Sequence, residues 1–422
     1  MKLFNKTHQN VYLFASGQAL SIIGDSAETM ALSWWILTAT GSVADVAKIT
    51  VPGIVLRLVL TPLIAPLTDK YPRKKVLVWS SFVKFVLFIG VAMLSWNTQI
   101  NWPLLITLYI IASIAGAVFS AAAGGFVPSL VERKEIPDAM QKNSLLQSIG
   151  GICGGMIGGL VVSFAGISGA MTINAFSFLL SMLLIILINI NEQQKENQLL
   201  TIAESIKAWQ ADFYDGFRFF LKVPGLAASL LIICAINFFT SGLSILLPAI
   251  INAEKIGVKY LGLVETVGMI GSVSALLVAG FFTPKAHLKA QFCILFLIVS
   301  GISLYFISWV HILAVPPSAM FVAYAAIALF NMLLSGQIMM IVPDSHRGRV
   351  GAFLMTLSGA AVPLGLSAAG LISDKFSPAI AISVVSFGVV SAACLLIFVP
   401  GFSKLMTCSA EEAGKFSEGS LA

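Results

Sequence analysis

The sequence predicts an all-α membrane protein with twelve transmembrane helices, laid out as two six-helix repeats. Three observations predict it. Only 10% of the 422 residues are charged and 58% are hydrophobic, whereas a soluble domain carries about 25% charged residues to cover its surface. Twelve apolar runs each reach the ~20 residues needed to cross a bilayer. A single long polar connection, residues 191–224, divides six runs from six.

Taken in order, the expected spans are Val11–Ala39, Val43–Thr68, Val76–Trp96, Trp102–Phe126, Ser144–Ala165 and Gly169–Asn189 in the first half. The second half holds Gly225–Ile251, Tyr260–Thr283, Ala290–Val310, Ala314–Ile341, Val350–Ser373 and Pro378–Phe402. The expected organisation is therefore a first half over 1–190, a linker over 191–224, a second half over 225–402 and a cytoplasmic tail over 403–422. The polar start, Met1 to Asn10, leads into a run too long for a signal-peptide core, which makes it an uncleaved first span.

Basic residues set the threading. Of the 25 Lys and Arg, nineteen fall in the termini and the even-numbered connections, and only Lys255, Lys259 and Lys375 fall on the other side. Cytoplasmic loops carry the excess of positive charge, so both termini are expected in the cytoplasm of a multi-pass protein of the cell membrane. The net charge of +6 thus reports orientation, and no nucleic-acid partner is expected. The five cysteines are scattered and form no C-x-x-C pair, which implies neither a disulfide framework nor a metal site. Within the linker, Leu199, Ile202, Ile206, Trp209, Phe213, Phe217 and Phe220 recur at spacings of three and four. That is one apolar face of a helix, expected to lie along the cytoplasmic lipid interface or, alternatively, to dock on the bundle.

The short connection between spans two and three is the most densely charged. Asp69-Lys70-Tyr71-Pro72-Arg73-Lys74-Lys75 places five charges in seven residues between spans two and three, too costly a sequence to sit inside lipid. Its wording resembles the signature loop of major facilitator superfamily transporters, G-x-L-a-D-R-x-G-R-[RK], with Asp69, Lys70, Arg73 and Lys74 keeping the charges and Ala65 and Pro72 replacing the glycines. The halves also echo each other. Val127-Pro128 followed by Gly150–Gly159 parallels Val342-Pro343, Arg347-Gly348-Arg349 and then Gly359–Gly370. With Gly17-Gln18, Thr40-Gly41-Ser42 and Pro363-Leu364-Gly365 in order, the chain resembles the efflux branch of the superfamily that holds macrolide exporters and the enterobactin exporter. The resemblance implies a major facilitator fold, a small-molecule substrate at the midplane between repeats, and export coupled to protons. It also implies a gating latch made of Asp69, Lys70, Arg73, Lys74 and Glu132, in which Asp69 meets the start of span eleven and Arg73 pairs with an acid at the end of span four, where Glu132 is the nearest. No cofactor and no partner beyond substrate, protons and the lipid bilayer is expected, and the chain is expected to work as a monomer.

Chemistry within the spans rests on few residues. No Walker A, H-E-x-x-H or G-x-S-x-G sequence occurs, so ATP-driven transport and the common hydrolases lack their residues. An embedded enzyme or a sensor is the poorer reading, because the four histidines lie in or beside loops. Asp25 and Glu28 stand one turn apart in span one, and carboxylates in a bilayer seldom face lipid; the pair is a candidate for taking up and releasing protons. Arg57 in span two is the expected partner of Asp25 or of an anionic substrate. Glu265 in span eight is a second proton or cation candidate. Lys84 in span three is expected at the periphery, its ammonium snorkelling to the interface. Asn237, Asn331 and Gln337 are candidates to line the cavity, or else to bond neighbouring helices. Span five carries Gly150, Gly154, Gly155, Gly158 and Gly159, which resembles the antiporter motif of drug exporters with Gly155 in place of proline. Small residues at this spacing let helices approach closely, expected here between spans five and eight. The span-four arginine frequent in exporters is replaced by Ala112. The alternative within transport is a lysophospholipid or other lipid flippase, a branch that Gly24-Asp25 also resembles.

Overall fold

The computed structural model describes residues 6–68, 71–96, 100–190, 226–279, 284–342, 347–399 and 401–407, with seven further positions between 207 and 218. Its long helices are α1 (Lys6–Thr40), α2 (Val43–Thr68), α3 (Arg73–Leu94), α4 (Trp102–Ser129) and α5 (Ile136–Leu187). They continue as α6 (Leu226–Ser241), α7 (Leu243–Ala253), α8 (Val258–Ala279), α9 (Lys289–Phe306), α10 (Val315–Ile341), α11 (Arg347–Lys375), α12 (Pro378–Phe398) and the short α13 (Phe402–Thr407).

Local chemistry places the breaks. Gly41 ends α1 in the left-handed region at φ 72°, where a Cβ is unfavourable. The Ser42 hydroxyl then accepts from the Asp45 N–H and opens α2. Asn101 caps α4 by accepting from the Leu104 N–H, and Ser377 caps α12 in the same way through Ile380, followed by Pro378 at the first helical position. Spans five and six are two helices that meet at a kink at Gly166, whose φ of 70° and ψ of −174° are not helical; they are taken together as α5, with a first and a second arm. Span seven is divided at Gly242, but φ −60° and ψ −25° there keep the chain helical. The connection is a local interruption of hydrogen bonding, and the chain does not turn.

Among the described residues, nine helical segments are long and apolar enough to cross a membrane. α1 and α2 are outside that set, and they carry Asp25, Glu28, Asp45, Lys48 and Arg57.

The chain divides into two compact units: Met1–Ile206 with Ile256–Leu263, and Lys207–Lys255 with Val264–Ala422. In the first unit α1 lies along both arms of α5, and α5 also packs on α3. Small residues set the approach. A Cβ on Gly150 would stand 2.7 Å from the Ala19 carbonyl oxygen, and one on Gly158 would stand 3.3 Å from the Ala27 Cα. Gly17 and Gly24 of α1 meet Ser181 and Ser177 on the second arm. Near the loop at residues 69–72 the unit closes over a core of Val11, Phe14, Leu77, Phe126 and Ile185, with the Phe14 and Phe126 rings edge to face at 5.0 Å.

The second unit packs α9 against α10 and α12, and α6 against α11 and α12. Its core includes Leu226, Cys293, Phe330, Phe353 and Leu396. Phe402, Leu405 and Met406 of α13 join that core, so the first residues of the expected tail, 403–407, are helical, with Leu405 and Met406 buried. Of the linker, the described positions (Lys207, Gln210, Ala211, Tyr214, Asp215, Phe217 and Arg218) are helical and exposed. Phe217 stacks 6.0 Å from Phe353, and the Arg218 guanidinium lies over the Tyr214 ring at 4.5 Å. The other apolar positions of the expected amphipathic face lie outside the described residues.

Candidate functional site

The first unit gathers four ionisable side chains from three helices. Glu28 of α1 is buried at 7% exposure and accepts a hydrogen bond from the Tyr109 hydroxyl of α4. A turn earlier, Asp25 is half-open, with a side chain 43% exposed. Lys84 of α3 reaches it at 4.0 Å from a position only 14% exposed. Its ammonium also lies 3.7 Å from the centroid of the Phe178 ring on the second arm of α5, a cation–π contact that offsets part of the cost of burying the charge.

The geometry explains the pairing. α1 and α3 both pack on α5, whose Phe178 packs on Phe88 of α3 and meets the Lys84 ammonium on its ring face. Lys84 is therefore an internal cation, which corrects the expectation of a peripheral, snorkelling lysine. Arg57 is corrected with it. Its guanidinium donates to the Ser120 hydroxyl of α4 at 3.0 Å and is exposed, so it is not the ion-pair partner of Asp25. Arginine at mid-span still needs a polar neighbour, and α2 packs directly on α4, where Ser120 provides one.

A buried carboxyl and a phenol share one hydrogen bond, and an open carboxylate with a buried ammonium lies one turn away on the same helix. Gln18 and Gln147 bond to each other further along α1 and the first arm of α5, fixing that helix pair with side-chain polarity as well as with the glycines.

The other candidate residues separate into groups. Gly150 meets Ala19, Gly154 meets Ser26 and Ile23, and Gly158 meets Ala27, so most of the span-five motif serves the approach to α1. Gly159 alone faces the start of α8, where its backbone lies directly on that of Gly262. Gly155 is buried. In the second unit Glu265 sits on α8 beside Tyr324 of α10, the two interacting electrostatically. Gly268 and Gly271 of α8 meet Met320, Tyr324 and Phe321 of α10 and bring the helices together. Asn237 spends its amide on the Ile233 carbonyl of its own helix at 2.9 Å, and Asn331 is exposed. Gln337 is not a cavity residue. Buried at 3% exposure, it donates to the Leu405 carbonyl at 2.9 Å and accepts from Lys289 at 3.2 Å, tying α10 to α13 and α9.

Around the basic loop, Asp69 and Lys70 lie outside the described residues. Arg73 donates to the Gly125 carbonyl near the end of α4, and Lys74 donates to the Ile186 and Ile188 carbonyls at 2.8 and 2.6 Å. A cation on the last carbonyls of α5 satisfies groups that have no partner within the helix and complements the helix dipole. Glu132 corrects the expected latch pair. It bonds Lys134 at 2.8 Å, and that hydrogen bond, with the lysine charge, holds its carboxyl below the usual range.

Helices of this length and apolarity define a multi-pass membrane protein. Residues 14–366 match the model of the Major Facilitator Superfamily, and the chain belongs to that family, a family of transporters and not of enzymes. It is 24% identical over 347 residues to the enterobactin exporter EntS of Salmonella paratyphi A, covering 79% of this chain and 78% of the exporter. It is 21% identical over 387 residues to macrolide efflux protein A of Streptococcus pyogenes, covering 89% and 92%. Among solved structures, a bacterial homolog of the human lysosomal transporter Spinster superposes with a TM-score of 0.68 at 15% identity over 98% of each chain. A bacterial homologue of the iron transporter ferroportin gives 0.64 at 16% identity, over 94% of this chain and 99% of the other. These two establish the fold.

Proposed function

We propose that the protein is a proton-coupled exporter of small amphiphilic molecules, working as a monomer in the cell membrane with both termini in the cytoplasm. The observation that carries the coupling is the Asp25–Lys84 and Glu28–Tyr109 cluster. Among the described residues few ionisable side chains lie deep in the helices, and here the buried Glu28 meets Tyr109 one turn from Asp25, which Lys84 reaches from a largely enclosed position. The efflux direction draws support from the two exporters that match most of its length.

In this reading Asp25 alternates between two partners. Ionised, it holds Lys84. Protonated, it releases Lys84 and the helix contact that the pair maintains, and the repeats rock between inward and outward openings. Glu28 and Tyr109 hold the neighbouring turn of α1 on α4 and accept or return the proton. Arg57, exposed and anchored on Ser120, is placed to meet a polar group of the substrate. Glu265 with Tyr324 is a second polar site that the substrate reaches in the other repeat. Asp69 and Arg73 act at the gate, Arg73 by gripping the end of α4.

The test is transport in inverted membrane vesicles with an imposed pH gradient, acid inside. A proton-coupled exporter accumulates an amphiphilic dye in these vesicles, and collapse of the gradient by a protonophore abolishes accumulation. Accumulation unaffected by the protonophore would overturn the coupling.

A further inference from the structure

Apart from the acid–base cluster, the first unit holds an open groove of about 800 Å³ that runs beside the basic loop. Its walls are the end of α2, the loop residues Tyr71 and Pro72, and the first half of α3; α4 forms the floor. α4 packs on both α2 and α3 while those two diverge from each other, which leaves the trough open to the side. From Lys75 to Val83 it follows α3 for eight residues, about 12 Å at the rise of a helix.

The one charged group of the groove lies at its loop end, and the single polar residue further along, Ser80, spends its hydroxyl on the Leu77 carbonyl. Tyr71, Thr68 and Lys75 line the loop end, and Val83, Ile111 and Ile114 line the far end. Trp79, exposed and lining the trough partway along, has the amphipathic ring that favours the membrane interface. The three consecutive cations of the loop have different fates. Arg73 is taken by the Gly125 carbonyl and Lys74 by the end of α5, whereas the exposed Lys75 ammonium has no hydrogen-bond or ion-pair partner among the described residues. The positive end of the α3 dipole points toward the same place.

We infer that this groove binds an anionic phospholipid from the surrounding leaflet, with its phosphate on Lys75 and Tyr71 and one acyl chain along Trp79, Val83 and Ile114. The polarity of the trough matches such a molecule end to end. A soluble anion would leave the apolar two-thirds of the site uncovered, and an apolar ligand would leave the free ammonium unanswered. Occupancy would brace α2 against α3 next to the loop, so the lipid is expected to stabilise the first unit.

The experiment is native mass spectrometry of the full chain purified in a mild detergent, with phosphatidylglycerol or phosphatidylcholine added. The expected result is a retained phosphatidylglycerol adduct that Lys75→Ala weakens by about five-fold, the factor for one lysine at an anionic lipid surface, and that Lys75→Arg preserves. Ile114→Trp, which fills the trough, is expected to remove the adducts of both lipids. Lys75 is exposed and its side chain donates no hydrogen bond among the described residues, and an unchanged apparent Tm of Lys75→Ala without added lipid is the control that its variant reads binding. Equal phosphatidylglycerol retention in Lys75→Ala and the unaltered protein would overturn the inference. So would full competition by inorganic phosphate, or displacement of the lipid by the transported dye at the concentrations that saturate transport.

Discussion

Replacing Asp25 by asparagine removes the half-open member of an ion pair and leaves the buried one behind. At 4.0 Å two unit charges attract by about 1 kcal/mol in water and about 4 kcal/mol at an effective dielectric constant near 20. With one side chain 43% exposed and the other 14%, the pair lies between these limits, at about 2 kcal/mol. Asp25→Asn forfeits that attraction and keeps the desolvation cost of Lys84, so a loss of about 2–3 kcal/mol is expected, below the 3–5 of a wholly buried pair. Lys84→Met forfeits the same attraction but also removes the buried charge and leaves an Asp25 that water reaches; its expected loss is about 1 kcal/mol. The double variant should regain most of the stability lost in Asp25→Asn without regaining coupled transport. The assay is apparent Tm at a fixed scan rate in one detergent, beside dye accumulation in vesicles. Equal losses for the two single variants, or no recovery in the double variant, would refute the assignment of Lys84 as the partner.

Three further outcomes follow from the geometry. Tyr109→Phe removes the donor to a buried carboxyl and should lower stability by about 1–3 kcal/mol, read as apparent Tm, while Glu28→Gln, which keeps a hydrogen-bonding partner for Tyr109, should cost less. Gly159→Ala places a methyl group against the Gly262 backbone and should sharply reduce transport per molecule, whereas Gly116→Ala, with open space around it, should behave as the unaltered protein. Gln337→Leu leaves the Leu405 carbonyl without its donor and should cost about 1–3 kcal/mol of stability, yet the apparent KM for the dye should not move, because this side chain clamps α13 and faces no substrate.

The twelve spans were legible because bilayer thickness imposes a length and an apolarity that few other folds share. Gly41, Ser42, Asn101 and Ser377 are visible in sequence for the same kind of reason: each meets a local backbone need that depends on nothing distant. The site was legible only in part. Asp25 and Glu28 announce themselves as carboxylates in an apolar run, but the choice between Arg57 and Lys84 as partner depends on which helices pack together. That α1 and α3 share α5, whose Phe178 meets the Lys84 ammonium, is a tertiary fact with no sequence period. Tyr109 is one aromatic among many in apolar runs, and only its position opposite Glu28 singles it out. Gln337 read as a cavity residue because the burial of an amide against α13 depends on a helix that follows the last span and was taken for tail. Lys74 read as one of the charges of the loop's latch, because the carbonyls it caps lie more than a hundred residues away.

The central claim is that a proton on Asp25 drives the transport cycle, and one measurement separates that role from mere passage of substrate. In reconstituted vesicles, Asp25→Asn is compared with the unaltered protein in two modes: exchange of labelled for unlabelled dye with no pH gradient, and net accumulation driven by one. The account predicts that exchange persists in the variant while accumulation against the dye gradient is lost. Accumulation at the unaltered rate in Asp25→Asn would contradict it.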